Sequence, residues 1–231
     1  MKTKPVLTED GSYTLFVSEL NEHYHSVNGA IGESRHVFID AGYNFCKQTP
    51  IRILEIGFGT GLNAYLTYLE SKKFNRSTQY CSIELYPLNK NEIQQLNYAE
   101  LLNADKQIFE NLHNTAWNKM VNIDSDFSLH KINADVTTYK FDDNGKFDLI
   151  YFDAFSPEKQ AEMWTKSVFS KIHKIMENTG ILTTYSTKGI VKQVLRDIGF
   201  KLERLPGPPG KWHMLRATKN DLLIHKNFII L

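Results

Sequence analysis

Cysteine is scarce in this chain, with only Cys46 and Cys81 among 231 residues. The two lie far apart and outside any metal-type spacing, so no metal is expected and a reduced cytoplasm is the simplest setting. A strong net charge is missing as well. Lys and Arg number 27 against 26 Asp and Glu, leaving +1, so a nucleic-acid partner must be argued from local charge. No apolar run approaches the roughly 18 residues that span a bilayer. The start, Met1-Lys2-Thr3-Lys4-Pro5, lacks the apolar core of a signal peptide. Internal repeats and low-complexity segments are absent too. What remains is an ordinary balance, 42% hydrophobic and 23% charged, in a length that suits one α/β domain with a modest extension.

Ile51-Arg52-Ile53-Leu54-Glu55-Ile56 is a short branched apolar run of the kind that forms a buried strand. Gly57, Gly59 and Gly61 follow at alternate positions, and Leu62 to Leu69 is apolar and helix-forming. A strand, a glycine turn and a helix start make a nucleotide-type cofactor site. The glycines let backbone approach a ligand, and the helix start offers unpaired N–H groups. A dinucleotide fingerprint needs Gly-x-Gly-x-x-Gly with a pyrophosphate on the helix start. Here the third glycine comes one residue early. Glu55, just before the first, would repel a pyrophosphate but can pair with an ammonium group. A nicotinamide-dependent oxidoreductase is therefore disfavoured.

Three further acids stand at strand ends. Tyr80-Cys81-Ser82-Ile83-Glu84 reads as a second strand whose Glu84 sits where a ribose diol is bound in nucleotide-binding folds. Phe127 to Ile132 reads as a third, followed by Asp135, either a ligand contact or a helix cap. Leu149 to Phe152 is a buried strand with Asp153 at its carboxyl end, and Ser156-Pro157 is expected to open the next helix. Pro87 suits the first turn of a helix, and residues 103–126 read as polar and partly helical, anchored by Phe109, Leu112, Trp117 and Met120. Near the start, Tyr13-Thr14-Leu15-Phe16-Val17 is a strand and Glu33 to Ile39 a strand or short helix. Between them, Glu22 to Gly32 is polar and glycine-bearing, either a β-hairpin cap with solvated side chains or a lid over the cofactor. Toward the end, Gly180 to Ser186 is a strand, and Lys188, Lys192 and Arg196 share one face of the helix after it. Ile190, Val191, Val194, Leu195 and Ile198 form its buried side. Lys201–Leu205 and Trp212–Ala217 form a closing antiparallel hairpin. The basic residues of this region read as either a solvated face or a phosphate-backbone footprint.

The pattern Glu55-x-Gly57-x-Gly59-x-Gly61 resembles the first motif of class I S-adenosylmethionine-dependent methyltransferases. Together, Leu54 to Asn63, Asp153-Ala154-Phe155-Ser156-Pro157 with Met163-Trp164, and Glu33-Ser34-Arg35-His36-Val37-Phe38 resemble something narrower. This is the methyltransferase half of the bifunctional enzymes that build 5-methylaminomethyl-2-thiouridine at the tRNA wobble position. The resemblance implies an α/β, Rossmann-like fold with a mostly parallel seven-stranded sheet, a closing hairpin and a small β-rich N-terminal extension. Residues 1–45 would be the extension or lid, and 46–231 the methyltransferase domain. It implies S-adenosylmethionine held by Glu55, Gly57, Gly59, Gly61, Asn63, Glu84, Asp135 and Asp153, with Asp153 also the catalytic group that orients the acceptor amine and takes its proton. Tyr24, Ser26, Glu33 and His36 are the lid and substrate candidates. Lys188, Lys192, Arg196, Lys211 and Arg216 are the candidates for gripping the anticodon stem-loop of a tRNA. Ala154 and Gln160-Ala161 depart from the family's usual Gly and Asn-Pro on the substrate side. A flavin-dependent oxidase half has no room here, so a separate enzyme is expected to expose the primary amine. A methyltransferase for small or protein amines, and a non-catalytic binding module, are the competing readings.

Overall fold

The computed structural model describes residues 2–142 and 145–219, so the stretch 220–231 of the expected methyltransferase domain lies outside the described residues. Strands β1 (Thr3–Leu7), β2 (Tyr13–Val17) and β3 (Glu22–His23) form a small antiparallel sheet. Helix α1 (Ala30–Ser34) then runs straight into a wider π-helical stretch, Arg35–Tyr43, so Glu33–Ile39 is helical rather than extended. Val37, Phe38, Ile39 and Tyr43 are buried. Their partners are in the main sheet: Phe38 meets the Tyr151 ring at 5.1 Å, and Tyr43 shares a 2.9 Å hydrogen bond with Thr78.

The main body runs β4 (Ile51–Ile56), α2 (Leu62–Lys73), β5 (Thr78–Glu84), α3 (Lys90–Ile93), α4 (Tyr98–Leu101), α5 (Lys106–Asn114), β6 (Lys119–Asn122), β7 (Phe127–Asn133) and β8 (Phe147–Phe152). It continues with α6 (Lys166–Ile175), β9 (Met176–Thr184), α7 (Gly189–Ile198), β10 (Phe200–Pro206) and β11 (His213–Lys219). The sheet order is β10-β11-β9-β8-β4-β5-β7-β6. The five strands β9, β8, β4, β5 and β7 are parallel, and the other three pair antiparallel. Period-two alternation sorts the side chains. Ile53, Leu149 and Tyr151 pack on one face, and Leu54, Ile56, Ile150 and Phe152 on the other. Both faces are covered, which is why β4 and β8 read as unbroken apolar runs. Neighbours of β4 on its two sides, β5 and β8, are reached by connections that diverge. That divergence leaves a crevice at the carboxyl ends of the strands, where open α/β sheets bind ligands.

The sheet has eight strands where seven are expected. The extra one, β6, is a short edge strand with Lys119, Met120 and Asn122 exposed, so no alternation announces it. Met120, expected as an anchor, is 57% exposed. Ser156 does not cap a helix, because its N–H and hydroxyl both donate to Glu22, at 3.2 and 2.9 Å. The cap falls instead to Thr165, whose hydroxyl accepts from the Val168 N–H of α6. Pro87 likewise precedes its helix, which Asn89 and Glu92 start with reciprocal hydrogen bonds. On α7, Val191 and Leu195 are buried but Ile190 is 66% exposed. Among the described residues, no helix is long and apolar enough to cross a membrane.

Candidate active site

The crevice is a cleft of about 400 Å3, within the roughly 300–1,000 Å3 usual for small-molecule sites. Its floor is the turn after β4. Gly57 and Gly59 have φ of 93° and 47°, a region that costs any residue with a Cβ. A Cβ on Gly57 would stand 2.8 Å from the Asp153 carbonyl oxygen, and one on Gly59 would stand 2.9 Å from the Tyr24 ring. The turn is thus threaded between the β8 backbone and the roof, with room for backbone only. Gly61 then starts α2.

Glu84 is drawn into this turn. Its carboxylate accepts from the Gly59 N–H at 3.0 Å and the Tyr86 N–H at 2.8 Å. Burial raises its pKa, and these N–H groups oppose the rise. Asp135 shapes the neighbouring rim, one residue past the Ala134 N–H that donates to the Glu84 carbonyl at 3.1 Å: its Oδ1 accepts from the N–H and hydroxyl of Thr137 at 2.8 and 2.7 Å. This is a side-chain turn rather than a helix cap.

Asp153, at the end of β8, lines the cleft beside Asn63, whose amide donates to Asp153 Oδ2 at 2.8 Å. Burial, and then the Glu33 carboxylate, push the Asp153 pKa up to about 7 against the pull of Asn63 and Lys211. Glu55 behaves differently from its expected role. It has no accessible surface and does not line the cleft. Its Oε2 accepts from the Ser82 hydroxyl at 2.7 Å, and burial holds its pKa well above the carboxylate range. Glu55 thus lies beneath the wall of the cleft, whereas the expected pairing with a ligand's ammonium places it on the lining.

The roof comes from residues 22–33. Tyr24 stands edge-on to Phe155, with ring centroids 5.0 Å apart. The His25 ring nitrogen Nε2 is 2.7 Å from the Thr60 hydroxyl, tying the roof to the glycine turn. Burial pulls the His25 pKa down to about 4. The Ser26 N–H donates to Glu33 Oε2 at 2.7 Å, and Lys211 pairs with the other oxygen. The Lys211 ammonium lies 4.0 Å from the centre of the Tyr185 ring, whose hydroxyl donates to the Ala154 carbonyl at 2.9 Å. Tyr24, Ser26 and Glu33 therefore gather at the cleft. His36 does not: its ring is 2.8 Å from the Pro206 carbonyl, where it pins the closing hairpin.

The basic candidates also part company. Lys192 is half-buried and Arg196 exposed on α7. Lys188 at the start of that helix pairs with Glu158 at 2.7 Å. Lys211 points into the cleft instead of out toward α7. Arg216 is only 8% exposed, pairs with Glu203 at 2.7 Å and stacks on Phe45 at 3.4 Å. Its burial in the sheet removes it from any phosphate-facing set. Sequence reading missed Tyr185 and Thr60 as cleft residues. Tyr185 sits just past the carboxyl end of its strand, the same positional signal that marks Asp153.

Fold and cleft define a class. A family model described as "S-adenosyl-L-methionine-dependent methyltransferase" matches residues 99–220, more than half of the chain, and the chain belongs to that family. Among curated proteins it is similar to the tRNA 5-methylaminomethyl-2-thiouridine biosynthesis bifunctional protein MnmC of Leptospira interrogans, 31% identical over 96% of this chain and 36% of that protein. The protein of the same name from Pseudomonas savastanoi is 28% identical over 87% of this chain and 32% of its own length. The chain thus spans about a third of the length of these relatives. Among solved structures, MNMC2 from Aquifex aeolicus superposes with a TM-score of 0.77 at 27% identity, covering 94% of this chain and 69% of that one.

Proposed function

We propose that this methyltransferase N-methylates the aminomethyl group of 5-aminomethyl(-2-thio)uridine at the wobble position of tRNA. The observation that carries the reading is Asp153, a carboxyl poised near pH 7 at the cleft floor and fixed by Asn63. The likeness to the bifunctional enzymes supports the choice of substrate. S-adenosylmethionine, when bound, supplies a methyl group already activated by its sulfonium. The residues present fit it: a glycine turn with no room for side chains, Glu84 held at the turn for a ribose diol, and Asp135 at the rim for the adenine amino group.

An alkylammonium cannot attack until it loses a proton. Asp153 takes that proton, freeing the nitrogen lone pair. With the donor bound, that lone pair would take the methyl group while the C–S bonding pair would leave on sulfur. Asn63 keeps the Asp153 carboxylate aimed, and residues 22–33 exclude water and serve as the lid. Most of the acceleration comes from holding the reactants in line.

Lys188, Lys192 and Arg196 on α7 grip the stem phosphates, and the wobble base enters splayed out, as single-stranded bases do. Binding then weakens with salt, by a slope of about 0.7–0.9 per neutralised phosphate. A prior reaction on the uridine must expose the primary amine, and a tRNA substrate places the reaction in the cytoplasm. The test is transfer of labelled methyl from S-adenosylmethionine to tRNA from a strain lacking this gene, followed by nucleoside analysis. Label in 5-methylaminomethyl(-2-thio)uridine is expected. Unlabelled RNA with intact cofactor binding would overturn the substrate and turn attention to small amines.

A further inference from the structure

Glu33 and Tyr185 stand out within the cleft because a positive charge already occupies the space between them. The Glu33 carboxylate is buried, fixed on α1 and held by the Ser26 N–H at 2.7 Å. The Tyr185 ring is anchored through its hydroxyl to the Ala154 carbonyl. Lys211 Nζ sits against both, in ion-pair contact with Glu33 and 4.0 Å from the ring centre. A buried carboxylate with an aromatic face beside it is the chemistry that recognises an ammonium. Asp153 is close enough for its proton affinity to be raised by Glu33 and lowered by Lys211. Both residues line the cleft, so the cation shares it with the group that must deprotonate the acceptor.

The two halves of the pair are not equally fixed. Glu33 belongs to a helix, whereas Lys211 extends from the Pro206–Gly210 tip of the closing hairpin, with about a third of its side chain exposed. A long lysine chain regains hydration by swinging outward, but a buried carboxylate left alone does not. Neighbouring Trp212 is 91% exposed, so this end of the loop faces solvent. We propose that Glu33 and Tyr185 form the subsite for the acceptor's ammonium, and that Lys211 fills it in the resting enzyme until the substrate amine displaces it. The substrate class in this proposal rests on the reading above; the subsite itself takes any primary alkylammonium.

Two measurements separate the ideas. With aminomethyl-bearing tRNA, Glu33→Gln should raise the acceptor KM about tenfold or more while leaving the dissociation constant of S-adenosylmethionine near that of the wild type. Lys211→Met should lower the acceptor KM. An unchanged or raised KM in Lys211→Met overturns displacement and makes Lys211 a fixed pair or an RNA contact. Independently of any RNA, propylammonium should bind Lys211→Met, seen by calorimetry, more tightly than it binds the wild type. Propanol, its neutral counterpart, should not. The Lys211→Met/Glu33→Gln double variant should lose that affinity, with S-adenosylmethionine binding as the check that the fold survives. Failure of propylammonium to bind Lys211→Met sinks the subsite. Success there with unmethylated tRNA keeps the subsite and rejects the tRNA substrate.

Discussion

The two sides of the cleft are built by different means. The cofactor side is made of backbone and one short stretch of chain, the turn from Gly57 to Gly61, with Glu84 hydrogen-bonded back onto it at 3.0 Å. The acceptor side is made of side chains from distant segments: Glu33 with Lys211, Tyr24 against Phe155, Glu22 with Ser156. A backbone site tolerates nothing that adds volume. A side-chain site can exchange partners, because its groups sit on loops whose positions are set by packing elsewhere. Asp153 stands where the two meet.

The comparison breaks most visibly at Asp153. Asp153→Asn should lower turnover by about 10²- to 10⁴-fold, the usual worth of a positioned base. Its affinity for S-adenosylmethionine should stay within a few-fold, measured by single-turnover kinetics beside calorimetry. Wild-type kcat/KM should climb through pH 7 and level off as Asp153 ionises. The Asn variant should keep climbing until the amine loses its own proton to solvent. Gly59→Val tests the backbone side. It needs a disfavoured φ of 47° and overlaps Tyr24, so cofactor affinity should fall about tenfold or more while the fold persists.

Smaller effects sharpen the contrast through stability. The Asp153 pKa is raised from 3.8 to about 7 on folding, so the folded state prefers the protonated form. The associated stability is complete below pH 3.8 and lost as pH rises through 7. Asp153→Asn should therefore melt several degrees higher than wild type at pH 8 and show no gain at pH 4, at about 2–4 °C per kcal/mol in a chain of this size. His25 has the opposite sign. Its pKa falls from 6.5 to about 4, so its stability is present above pH 6.5 and lost as pH drops toward 4. His25→Asn should flatten the acid limb of the melting curve by about 1.4 kcal/mol per pH unit at most.

The cofactor side was largely legible from the sequence because its determinants are local. Strand, glycine turn and helix start are contiguous, and Glu84 and Asp153 each follow an apolar run that declares where a strand stops. Glu55 was legible as important but not as buried, since side-chain direction at the last residues of a strand depends on how the turn leaves the sheet. The acceptor side was legible only in part. Tyr24, Ser26 and Glu33 sit in a polar stretch that looked like a lid, whereas His36 turned toward Pro206. Lys211 and Arg216 looked alike in a basic run. Hairpin register sends Arg216 into the sheet opposite Glu203 and Thr183, while the loop carries Lys211 over Tyr185. No local pattern reports either outcome. The eighth strand went unread for a related reason, as its pairing with β7 comes without an apolar face.

The contact between Glu33 and Lys211 joins residues 178 positions apart, and that between His36 and Pro206 spans 170. During synthesis, then, a growing chain holds a finished glycine turn long before its acceptor side can exist. Contacts of such separation are the slow ones to form. The β10–β11 hairpin, made long after the glycine turn, is the one that completes the roof. Until it docks, neither Lys211 nor Pro206 ties down α1 and the stretch after it, so the cleft takes its closed form late in folding rather than by degrees.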